Sequence, residues 1–239
     1  VPDLRKRINC HDVHYFDRHL SEMAQEFRAG FYGKMDYAII EAAHVSEDGE
    51  VILGTGIGNI PTYAHMAKKL FIELNDKLPH QLHGMHDVVL LNDPPYRREI
   101  PIFSPKDRIG SPILKIDPNK VAGIVRTSAY DGVKAFTAPD EISKQIGSNV
   151  VKFLLHEYKK GGIPKEFLPL QSGVGNVANA VLYDLGENPE IPPFMMYTEV
   201  IQDAVLELMR KGKCTFASTC SMTFADETEE HLFKEMDFY

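Results

Sequence analysis

MMYTEVIQDAVLELMRKG, residues 195–212, changes its pattern in the middle. Phe194, Met195, Met196 and Tyr197, bounded upstream by Pro192 and Pro193, form a short apolar run that reads as a buried strand. Val200, Ile201, Ala204, Val205, Leu208 and Met209 then recur at the spacing of an amphipathic helix, which Gly212 closes. The result is a strand–turn–helix unit with Glu199 at the carboxyl end of the strand. In open parallel sheets, ligands bind at that edge.

The same alternation runs outward from this unit. Residues 35–42 (MDYAIIEA) and 51–53 read as strands, residues 63–70 as a helix, and residues 71–74 and 121–127 (VAGIVRT) as further strands. A long helix is predicted over residues 140–160, with Ile142, Ile146, Val150, Phe153 and Leu154 on one face. Thr137, three residues before Asp140, resembles a capping box, and Gly161-Gly162 ends that helix. Residues 168–170 start another strand and residues 179–185 another helix. Strands alternating with helices predict parallel α/β architecture. A domain boundary is expected near Thr137-Ala138-Pro139. Residues 79–111, rich in Pro, His and Arg and weak in periodicity, read as an extended excursion wrapping the body.

Composition narrows the function. The 239 residues are 44% hydrophobic, enough to bury a core in one large or two modest domains. A net charge of −8 argues against nucleic acid or an anionic membrane as partner, so an anionic ligand must be held locally. No apolar run approaches the roughly 20 residues of a membrane-spanning helix. Cys10, Cys214 and Cys220 form neither a disulfide framework nor a zinc signature, and no secretory leader precedes them, which fits a reducing compartment.

Two glycine turns share one pattern: Gly56-Ile57-Gly58-Asn59-Ile60 and Gly173-Val174-Gly175-Asn176-Val177. Each follows a strand and precedes a helix, which suggests two related halves. The first departs from the dinucleotide-binding fingerprint in its third glycine, so it reads as a structural turn. The second leaves successive N–H groups at a helix start, where they form either a nest for an anion or oxyanion or simply a tight packing corner.

Glu199 is likewise open between two roles on its residues alone. It is a solvated glutamate favoured by a helix N-terminus, or it is a nucleophile. A serine nucleophile needs a base, but a carboxylate is already anionic at neutral pH. Its low basicity suits activated acyl donors such as thioesters, with strong oxyanion stabilisation nearby. His80, His83 and His86, and the cluster Cys10, His11, His14 and His19, match no metal-ligand spacing, so no metal is expected.

The segments LPLQSGVGNVANAVL and MMYTEVIQDAVLELMRKGK, in that order, resemble the acetyl-CoA hydrolase/transferase family, a branch of the class I CoA-transferases. FDRHLSEM, GKMDYAIIEAAHVSEDGEV, DRIGSPILKIDPNKVAGIVRT and EMDFY also look like family segments, so the resemblance covers almost the whole chain. It implies two related open α/β domains of the CoA-transferase type, each incomplete here. Residues 1–137 would be the remainder of the first and residues 138–239 the first part of the second, as in a central fragment of a longer protein.

The resemblance makes Glu199 the catalytic nucleophile and the Val174 amide an oxyanion donor, with Gly173, Val174, Gly175, Asn176 and Val177 lining the CoA site. The implied reaction moves CoA between an acyl-CoA and a short-chain carboxylate such as acetate, propionate or butyrate. Hydrolysis of acyl-CoA is the enzymatic alternative, and a non-catalytic CoA- or nucleotide-binding module the other. Coenzyme A thioester enters as substrate, with no permanently bound cofactor. By analogy with the family, the protein is a homodimer or higher homo-oligomer. It is expected in the cytoplasm, or in mitochondria if eukaryotic. Family members that use succinyl-CoA place an arginine shortly after the VRT segment; Ser128-Ala129-Tyr130-Asp131-Gly132 offers none, which favours monocarboxylates unless Arg126 serves.

Overall fold

In the computed structural model, residues 2–131, 133 and 139–239 are described. Their elements are α1 (Pro2–Asn9), α2 (Leu20–Arg28), β1 (Tyr37–Val45), β2 (Glu50–Leu53), α3 (Ile60–Met66) and β3 (Lys69–Asn75), then β4 (Leu114–Lys115) and β5 (Val121–Thr127). The second half holds α4 (Glu141–Lys160), α5 (Asn176–Glu187), β6 (Phe194–Ile201), α6 (Asp203–Arg210), β7 (Cys214–Met222) and α7 (Asp226–Lys234). Short 3₁₀ turns occupy His80–Gly84 and Pro118–Lys120. The α/β class is as predicted.

Strand order in the first sheet is β4-β2-β1-β3-β5. β3 lies parallel to β1 and β5, as the alternation predicts, but β2 is antiparallel to both β1 and β4, so the sheet is mixed. The reason is a tight turn at Ser46–Glu47–Asp48–Gly49. Gly49 has φ +78° and its N–H donates to Ser46 O, while Ser46 N–H donates to Glu50 O. An Asp-Gly pair between two apolar runs is a hairpin signal that the parallel reading passed over. β1 buries Ala38, Ile40 and Ala42 and presents Tyr37 and Ile39 outward, the period-two pattern of a strand. Leu53, Leu70 and Ile72 complete this core.

A second core gathers Phe194 and Met196 of β6, Leu185 of α5, Val205 of α6 and Leu232 of α7. Here β6 and β7 pair in parallel. Three expectations are corrected. The helix predicted over residues 63–70 is α3, already finished at Met66, because Lys69 and Leu70 belong to β3. The strand predicted at residues 168–170 reduces to a single bridge between Leu170 and Met196. The buried face of α4 is Ser143, Gly147 and Val151, whereas Ile142, Ile146 and Phe153 are exposed. Packing, not hydropathy, decides that last case. A Cβ on Gly147 would sit 2.9 Å from the backbone of Ala180, so small residues let α4 and α5 close to backbone contact.

The N-cap of α4 is Asp140, whose Oδ1 accepts from Ser143 N–H at 2.7 Å. The expected cap at Thr137 and boundary at Thr137-Ala138 lie outside the described residues.

The two sheets meet along a seam. Met222 N–H donates to Thr55 O, and Ile57 N–H to Cys220 O, both at 2.9 Å. Around it, buried Ile52, Leu78 and Leu82 pack on Met222, Phe233 and Met236. The first glycine turn is thus a clamp on the end of β7. With its Ile57 and Gly58 amides spent on Cys220, it is the structural turn that its departure from the dinucleotide fingerprint predicts.

Candidate active site

Glu199 lies inside β6, with Val200 and Ile201 still in the strand and the helix beginning only at Asp203. The placement toward the carboxyl end of the strand holds, but the helix read from Val200 starts only at Asp203, and the helix-dipole role is corrected with it. The apolar period misled because Val200 and Ile201, β-branched residues suited to a strand, happen to fall in phase with the α6 stripe. Alternation along β6 buries Met196 and Thr198 and turns Tyr197 and Glu199 outward.

That outward face forms one wall of a cavity of about 770 Å³ on the seam. Thr55 and Ile57 of the first glycine turn, Gln171, and Phe216 to Cys220 of β7 form other walls. The remaining side comes from the excursion over residues 79–111, including His86, Ile102, Lys106 and Arg108. Its later part, from Val88 to Ser111, is closed on itself by paired N–H···O bonds between those two residues, of 2.7 and 3.0 Å. The wrap inferred from weak periodicity is thereby located: it lines the cavity that Glu199, itself exposed, also lines.

Cys220 stands level with Glu199, because Thr198 pairs with Thr219 and Val200 with Ser221. The main-chain carbonyl of Glu199 accepts from Thr219 Oγ1 at 2.7 Å and from Cys220 Sγ at 3.1 Å. These bonds fix the backbone and leave the carboxylate alone; among the described residues no side chain bonds to it. Burial, and then the Glu199 charge, push the Cys220 thiol above its ordinary value, so it stays protonated at neutral pH. His86 is buried, with Nε2 3.1 Å from Gly54 O, and burial pulls its pKa down, which keeps the ring neutral. His80 packs edge-on against His44. Among the described residues no three His, Cys, Asp or Glu side chains are arranged to hold a metal ion.

The second glycine turn is tied to the same strand. Leu170 exchanges backbone bonds with Met195 and Tyr197, both 2.9 Å. Thr198 Oγ1 accepts from Ser172 N–H at 3.2 Å and donates to Ser172 O at 3.0 Å. Gly173 follows at once, and Gly175, with φ +128°, sends the chain into α5 at Asn176. Among the described residues the N–H groups of Gly173, Val174 and Gly175 have no acceptor, and Val174 is exposed. The turn thus starts beside the strand of Glu199, although Gly173, Val174, Gly175, Asn176 and Val177 lie outside the cavity wall, where Gln171 stands instead. Arg126 is also outside, paired with Asp76 at 2.6 Å. Gln171, Thr198 and Cys220 carry no motif of their own; only their position beside Glu199 identifies them.

Residues 2–126 match the acetyl-CoA hydrolase/transferase N-terminal domain. The chain belongs to that family. As a member of the acetyl-CoA hydrolase/transferase family it is 45% identical over 236 residues to the propanoyl-CoA:succinate CoA transferase of Escherichia coli, covering 99% of this chain and 48% of that protein. It is 40% identical to the succinyl-CoA:acetate CoA-transferase of Clostridium kluyveri (99% and 44% covered). The acetyl-CoA hydrolase of Schizosaccharomyces pombe follows at 38% (99% and 46%). The chain thus spans about half the length of these relatives. In fold it resembles the 4-hydroxybutyrate CoA-transferase of Porphyromonas gingivalis, with a TM-score of 0.62 at 20% identity over 97% of this chain and 50% of that one.

Proposed function

We propose that this acetyl-CoA hydrolase/transferase family member serves an acyl-CoA:carboxylate CoA-transferase, with Glu199 as nucleophile. The observation that carries the reading is a carboxylate on a cavity wall with no side-chain partner among the described residues, in the strand whose Thr198 holds the start of a turn with free amides. A Glu199 oxygen attacks the thioester carbonyl, the C–S bond breaks, and CoA leaves as thiolate with an acyl-glutamyl anhydride behind it. The thiolate attacks the glutamyl carbonyl and expels the donor carboxylate, leaving a glutamyl-CoA thioester. An acceptor carboxylate runs these steps backwards. Each tetrahedral oxyanion needs donors, a role that the Val174 amide and its neighbours suit. No step calls for a general base or a metal, and CoA passes through as substrate.

In this reading residues 1–137 and 138–239 belong to two CoA-transferase domains, and the acceptors are short-chain carboxylates such as acetate, propionate or butyrate. The names of the Escherichia coli and Clostridium kluyveri relatives support transfer. The name of the Schizosaccharomyces pombe relative supports a second reading, hydrolysis, in which water intercepts the anhydride or the thioester. Labelled acetate separates them: transfer conserves total thioester and hydrolysis consumes it. In the full-length protein Glu199→Ala should abolish turnover while CoA still binds, and incubation with acetyl-CoA should leave CoA on the peptide carrying Glu199. Unchanged turnover in the variant would refute the assignment.

A further inference from the structure

Besides Glu199 the cavity is lined by charged residues of the excursion, and their charges are unevenly spent. Two acids on the excursion, Asp87 and Asp107, are consumed by its own turns. Asp87 accepts from the amides of Ile109 (3.1 Å) and Gly110 (2.7 Å), and Asp107 from those of Phe103 (2.6 Å) and Ser104 (2.9 Å). The two cations on either side of Asp107 are not spent in that way. Arg108 gives Nη1 to His86 O at 3.2 Å. Lys106 has no ion pair among the described residues. Its Nζ lies 5.9 Å from the centre of the Phe216 ring, another residue of the wall, which helps to hold the ammonium over β7.

Position along β7 decides what such a cation meets. Phe216 and Cys220 share one face of the strand, four residues apart, which is about 13 Å at the usual strand rise. Cys220 marks the level of Glu199. With that rise taken as the scale of the separation between Lys106 and the carbonyl under attack, a four-carbon diacid attached there is too short to span it. The pantetheine arm of CoA places its phosphates at a comparable or longer remove from the thioester. We propose that Lys106, seconded by Arg108, binds a phosphate of CoA and so sets the register of the thioester against Glu199. This assignment rests on the transferase reading for the position of the reacting carbon.

The test compares acetyl-CoA with acetyl-pantetheine, which lacks the phosphates, in the full-length protein carrying Lys106→Met, Lys106→Gln or Lys106→Arg. An exposed charge-assisted contact predicts that the ratio of KM for acetyl-CoA to KM for acetyl-pantetheine rises about fivefold in the Met and Gln variants. The Arg variant restores it, and added salt erodes the wild-type advantage. Equal changes for both thioesters, or none, overturn the proposal. A rise in KM for succinate as acceptor, with acetate and acetyl-CoA unaffected, also overturns it, because the anion is then a distal carboxylate. Equilibrium binding of CoA and pantetheine to Glu199→Ala, with and without Lys106→Met, reads the same contact without turnover. Failure of the phosphate assignment is therefore distinguishable from failure of the mechanism.

Discussion

Replacing Glu229 by glutamine should stabilise the protein near pH 8 and change little near pH 5. Glu229 lies on α7 and is 2% exposed, with Oε2 lacking a hydrogen-bond partner. Burial, then the charge of Asp131, and then those of Glu41 and Asp226, push its pKa from an ordinary 4.5 up to about 7, against a weaker pull from the Asp131 amide. Between those values the native state holds a proton that the unfolded chain has released, so stability falls as pH rises from about 4.5 to about 7 and is level above that. Each pH unit is worth about 1.4 kcal/mol, which puts the full penalty near 3 kcal/mol; solvent screening leaves about 1 to 3 kcal/mol. Glutamine keeps the shape and carries no charge at any pH. Urea unfolding of both proteins near pH 5 and near pH 8 measures the difference. Glu41, whose pKa burial also raises, keeps a residual slope in the variant. An equal gain at both pH values, or a loss near pH 8, would refute the reasoning.

Other perturbations probe the site and its frame. Thr198→Val removes the hydroxyl that pairs with both main-chain groups of Ser172. It should cost about 1 to 2 kcal/mol in urea unfolding and lower kcat by loosening the glycine turn. Gly147→Val drives a side chain into the Ala180 backbone, and a loss of about 1 to 3 kcal/mol is expected in thermal or urea melts. Burial is the larger cause of the raised Cys220 pKa and stays in place, but Glu199→Gln removes the negative charge that adds to it, so alkylation of Cys220 near pH 8 should quicken modestly, read by peptide mass.

The sequence made some of this legible for identifiable reasons. VAGIVRT is β-rich and cleanly bounded, and it is β5 residue for residue. Glu199 is legible from its position where an apolar run changes to a helical period, with the family resemblance supplying its role, and the Gly173-Val174-Gly175 turn because its glycines sit between a strand-like and a helix-like run. What escaped was set by contacts between distant residues. The burial of Ser143 and Gly147 rather than Ile142 and Ile146 follows from how closely α5 approaches, which no property of α4 alone encodes. The antiparallel β2 followed from a four-residue turn outweighed by the alternation around it. The wall opposite Glu199 comes from an irregular segment, and irregular segments carry no period to read.

The bond between Thr55 and Met222, and that between Ile57 and Cys220, join residues separated by most of the chain. Such a contact gains nothing until a very long loop has been closed, so it forms late and slows folding. An intermediate with either sheet complete would still lack the wall shared by Thr55, Ile57 and Cys220. Recovery of the cavity after dilution from denaturant should accordingly lag behind recovery of secondary structure, and a nascent chain would lack the walls around Glu199 until nearly all of these residues had been made.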